Sequence, residues 1–107
     1  MIYKFKSKAA GDVIMLGPNG DQILRLLGRE PAATGIFEVA DMPAAIGAIE
    51  AAVARDEQMR EQAEAEAAAE GQKIAPREAV TLRQRSWPLL EMMKRSHAAH
   101  ADIVWGV

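Results

Sequence analysis

The chain has 107 residues and a formal net charge of -2, enough for one domain, residues 1–107, that buries roughly 65% of its unfolded surface. It has no cysteine, which excludes disulfides, zinc–thiolate sites and cysteine nucleophiles and suits a reducing compartment. Its pI of about 5.7 argues against nucleic acid as the main partner.

No run of about eighteen apolar residues is present, so no membrane span is expected. The opening MIYKFKSK has no apolar stretch behind its charges, so no signal peptide is expected and the expected location is cytoplasmic. Charge is unevenly distributed: residues 1–29 carry +3, residues 56–70 carry -5, and residues 77–107 carry +2. The core is expected to draw on Ile, Leu, Val and Met, with Phe5, Phe37, Trp87 and Trp105 as large anchors.

Met1 to Lys8 alternates, which predicts a half-buried strand with Tyr3 and Phe5 inward and Lys4, Lys6 and Lys8 in solvent. Val13-Ile14-Met15-Leu16 is an apolar run too short for periodicity to assign. In one reading Asp12 caps a single helical turn, and Gly17-Pro18-Asn19-Gly20 leads into a helix from Pro18 to Leu27. In the other, a hairpin joins Val13–Leu16 to Gln22–Leu27. Ile23, Leu24 and Leu27 favour the helix, with Gly28 as its left-handed stop. The Gly-rich entry makes Gly17, Asn19 and Gly20, with Lys6, weak candidates for holding an anion. The run lacks the Lys-Ser/Thr of a P-loop and the three-glycine dinucleotide pattern.

Gly35 to Val39 reads as a second strand, followed by Asp41 as the cap of a helix whose stripe is Met42, Ile46, Ile49 and Val53. Residues 56–76 are rich in Ala and Glu. They read as an acidic extension of that helix or as a partly disordered insertion. No apolar heptad supports a coiled coil there.

Thr81 and Gln84 have the spacing of a capping box. Leu82, Leu89, Leu90 and Met93 form the stripe of a helix that Pro88 is expected to kink. The competing reading makes Val80 to Ser86 a strand and starts the helix at Ser86. Asp102 turns the chain into Ile103-Val104-Trp105-Gly106-Val107, a buried terminal strand.

No arrangement of Ser, His and Asp suggests a nucleophile, since Ser7, Ser86 and Ser96 lie outside any strained elbow. His97 and His100, three apart on a helix, are weak metal candidates without a clear third ligand. Arg77, Arg83 and Arg85 with Trp87 form the best remaining cluster, able to clamp an anion or stack a base. The plainer reading puts Trp87 in the core and pairs the arginines with acids elsewhere.

YKFKSKAAGDVIMLGPNGDQILRLLG, GIFEVADMPAAIGAIEAAVA, LRQRSWPLLEMMKR and IVWGV together resemble a small family of bacterial proteins known only as a domain of unknown function. The resemblance covers most of the chain outside the acidic segment and implies no activity or cofactor. The expected fold is α+β, in the order β-α-β-α-α-β, with a three-stranded sheet and helices on one face. The expected function is a non-enzymatic interaction or accessory module with a protein partner. A homodimer would cover the edges of so small a sheet. The alternative is a small-anion binder using Arg83, Arg85 and Trp87.

Overall fold

The alternation of Tyr3 and Phe5 with lysines builds the first strand, and the rest of the sheet is assembled beside it. The computed structural model describes residues 2–71 and 81–106. Strand β1 (Ile2–Ser7) pairs antiparallel with β2 (Ala10–Leu16), setting Tyr3 against Met15 and Phe5 against Val13 on the inner face. Ile2 and Leu16, and Lys4 and Ile14, are the opposing pairs on the outer face. The run Val13 to Leu16 is therefore a strand, not a helical turn, and the sheet has four strands instead of three. Alternation decides the matter once β1 is in place: a strand puts Met15 in the core, where β1 already presents Tyr3.

The Gly17-Pro18-Asn19-Gly20 stretch is the first turn of α1 (Gly17–Leu26), where the missing amide of Pro18 costs nothing. At the other end of α1, Arg29 N–H donates to the Leu24 carbonyl at 2.8 Å and Gly28 N–H to the Arg25 carbonyl at 3.0 Å. Gly28 takes the left-handed position this cap requires, with φ 76°.

Strand β3 (Gly35–Phe37) is shorter than its sequence pattern, because the chain enters a 3-10 turn at Val39–Asp41. The Asp41 carboxylate accepts from Glu38 N–H at 3.0 Å and pairs with Arg29 at 3.2 Å. It thus caps this turn and makes no side-chain cap on the helix that follows. Helix α2 (Met42–Ala69) has 28 residues, a length of about 42 Å. Met42, Ala45, Ile49 and Val53 are buried, and no described residue of α2 beyond Val53 is. The acidic stretch as far as Ala69 is helix.

Helix α3 (Leu82–Ala98) starts with the capping box: Gln84 N–H donates to Thr81 Oγ1 at 3.2 Å, and Thr81 N–H to Gln84 Oε1 at 2.9 Å. Pro88 lies inside the helix. The core stripe of α3 is Leu82, Ser86, Leu89, Met93 and Ser96. At about 100° per residue that stripe points Trp87 away from the core, and Trp87 is 48% exposed. It is not the core anchor its hydrophobicity suggests.

Strand β4 (Ile103–Trp105) inserts between β1 and β3, giving the fully antiparallel order β2-β1-β4-β3. Trp105 meets Phe5 edge-on at 5.6 Å between ring centroids and Phe37 at 5.1 Å, while Tyr3 stacks on Phe5 at 5.9 Å. The indole N–H donates to the Ala32 carbonyl at 3.0 Å. A Cβ on Gly35 would lie 2.1 Å from the Trp105 ring, so glycine is required there. Ser7 and Ser96 share a hydroxyl hydrogen bond of 2.8 Å that ties β1 to α3.

The Tyr3 hydroxyl donates to the Asp21 carboxylate. Burial, and then this hydrogen bond to Asp21, push the phenol from 10.0 up to about 12. Above pH 10 the unfolded chain releases this proton while the folded chain keeps it, so stability falls as pH rises from about 10 to about 12. Tyr3 is the only tyrosine, so alkaline absorbance titration reports it alone. The expected midpoint is about 12; a midpoint at the ordinary value would contradict the buried, bonded phenol.

Candidate functional site

Two features stand out, one on the side of the sheet away from the helices and one at the end of the sheet where α3 leads into β4. The first is its outer face. Antiparallel sheets covered on one side normally turn polar residues to water. Here Ile2, Ile14 and Leu16 are 62–64% exposed and Ile36 is 39% exposed. The register sets Ile2 opposite Leu16 with Ile14 next along β2, so three large aliphatic side chains adjoin. Val104 lies between Lys6 on β1 and Ile36 on β3. Lys4 pairs with Asp12 at 3.6 Å across β1 and β2.

The second feature is a groove of about 670 Å³ where the β1–β2 turn meets the α3–β4 connection. Lys6, Lys8, His100 and Asp102 line it, with Val104 and three alanines supplying the apolar wall. Among the described residues neither Lys6 nor Lys8 has an ion-pair partner. Asp102 Oδ1 accepts from Val39 N–H at 3.0 Å. His100 stands just past α3 with φ 54°, the one non-glycine among the described residues with positive φ.

The other sequence candidates are dispersed. Arg77 lies outside the described residues. Arg83 is held by Glu57 of α2 at 2.6 Å, a contact that fastens the start of α3. Trp87 is one turn further along the same face, and Arg85 is half-buried on another face, about 200° round from Arg83. The guanidinium that lies over an aromatic ring is that of Arg29, 4.4 Å from the centre of Phe37.

Gly17, Asn19 and Gly20 open α1 beside Leu16, which pairs with Ile2. Lys6 is four residues along β1 from Ile2, about 13 Å away, so the anion candidates do not converge. Gly20 is explained by packing: a Cβ there would lie 2.1 Å from the Tyr3 ring. His97 is exposed on α3 and His100 has left the helix, so the two do not share a helical face. Among the described residues no group of three or more His, Asp or Glu side chains is placed to hold a metal ion.

A family model matches residues 1–105. The chain belongs to the DUF1840 family, a domain of unknown function. No curated protein and no solved structure matches it. The match spans the outer sheet face, the groove and α3, so each belongs to the DUF1840 domain, whose family description assigns them no chemistry. The residues that sequence reasoning passed over here are Ile2, Ile14, Leu16 and Ile36. Ile2 carried a signal, since it shares the parity of the outward lysines in β1.

Replacing Gly20→Ala is expected to destabilise the fold by about 1–3 kcal/mol through overpacking against Tyr3, read as a lowered urea midpoint. An unchanged midpoint would contradict the packing role.

Proposed function

We propose that this DUF1840 domain is a non-enzymatic protein-interaction module of the bacterial cytoplasm that binds its partner across the outer face of the sheet. The observation that carries the reading is the exposure of Ile2, Ile14 and Leu16 side by side on a face where an antiparallel sheet normally displays polar groups. Lys6 and Lys8 at its margin suit a partner whose contact surface is apolar with acidic residues at the rim. Placement in the cytoplasm rests on the cysteine-free composition. Among the described residues no helix is long and apolar enough to cross a membrane.

The small-anion reading built on Arg83, Arg85 and Trp87 draws no support from their placement, since Arg83 is engaged by Glu57 and Arg85 faces elsewhere. A second copy of the chain is one partner such a face would accept.

The test compares three baits in native extract: the unaltered protein, Ile14→Glu with Leu16→Glu, and Arg83→Ala with Arg85→Ala. The first pair is expected to weaken partner capture about 100-fold, from the lost apolar burial, without a large change in melting temperature. The arginine pair should retain the partner. Equal capture by all three would remove the sheet face from the interaction, and light scattering on the purified protein identifies self-association.

A further inference from the structure

We infer that the groove between the β1–β2 turn and the α3–β4 connection is a binding site for a small hydroxylated phosphate monoester. The charge pattern selects the ligand. Lys6 and Lys8 make no ion pair with any acid among the described residues, whereas the neighbouring Lys4 is paired with Asp12, and Asp102 is the one carboxylate that shares the groove with the two lysines. His100 adds an imidazole donor at the same wall. Two cations and a donor match a phosphoryl dianion better than a single carboxylate. Asp102 also lines the groove, with one oxygen occupied by Val39 N–H. Its remaining acceptor capacity suits a hydroxyl on the organic part of the ligand and disfavours a bare anion. A volume of about 670 Å³ accommodates a molecule of that kind.

Backbone geometry supports the assignment independently. The residue that turns the chain past each helix has positive φ in all three cases: Gly28 at 76° after α1, Gly71 at 72° after α2, and His100 at 54° after α3. After α3 the cap is the same as after α1, with Ala101 N–H donating to the Ser96 carbonyl at 2.8 Å and His100 N–H to the His97 carbonyl at 3.2 Å. Glycine occupies this conformation freely and histidine does not. The one helix end that keeps a side chain at the unfavourable position is the one that forms a wall of the groove. Non-glycine residues held in the left-handed region cluster at binding sites, and His100 holds that conformation at the groove wall.

The experiment is an NMR titration of amide shifts with glycerol 3-phosphate, run alongside inorganic phosphate and succinate. Saturable shifts with glycerol 3-phosphate are expected, confined to the β1–β2 turn and the α3–β4 connection, with weaker binding of the other two. Lys6→Ala with Lys8→Ala should lower affinity about tenfold or more. Lys4→Ala should leave it within about twofold, since that charge is already matched. His100→Gly should weaken binding while raising the melting temperature by about 4 °C. The proposal is overturned by an absence of saturable shifts in the millimolar range, by succinate or inorganic phosphate binding as tightly, or by Lys4→Ala being as harmful as the double variant.

Discussion

The structure depends on one insertion: the last strand must slot between the first and the third. Without β4, the β1–β2 hairpin and the three-residue β3 are unconnected. Trp105 makes the join, touching Phe5 on one side and Phe37 on the other. Each such ring pair is worth about 0.5–1.5 kcal/mol beyond its area. Gly35 leaves the space for the indole, and the Ala32 carbonyl receives its N–H. These contacts join the two ends of the chain, so they form only when long loops have closed.

That insertion also decides what is left uncovered. Because side chains alternate along a strand, the register that buries Tyr3, Phe5, Ile103 and Trp105 against the helices turns Ile2, Lys4, Lys6 and Val104 the other way. The β1–β2 pairing adds Ile14 and Leu16 to that outer face, and β3 adds Ile36. All three helices serve the inner face. The open face and the groove at its end are thus products of the same register that makes the core, and the interaction surface and the proposed anion site adjoin there.

Features set by local chemistry were legible in the sequence. The Thr81–Gln84 capping box starts α3, Gly28 stops α1, and the lysine alternation orients β1. Met42, Ile49 and Val53 mark the buried stripe of α2. What escaped was set by pairing at a distance. Val13–Leu16 is four apolar residues that fit a helical turn equally well until β1 lies beside them. Trp87 reads as core by hydrophobicity, yet its rotation about α3 is set by Leu82, Leu89 and Met93. Lys6 and His100 come from opposite ends of the chain and share a groove only because β4 pairs with β1. The sequence presents them as two unrelated weak candidates, one for an anion and one for a metal.

The central claim is that one face of this sheet is sealed by helices while the other stands open, apolar, in the free protein. The most direct measurement is NMR of isoleucine methyl groups in dilute monomeric protein with a soluble nitroxide added. The expected result is strong broadening of Ile2, Ile14 and Ile36, and sharp signals for Ile23, Ile49 and Ile103. Equal protection of both groups would mean that the outer face is covered, and would contradict the account.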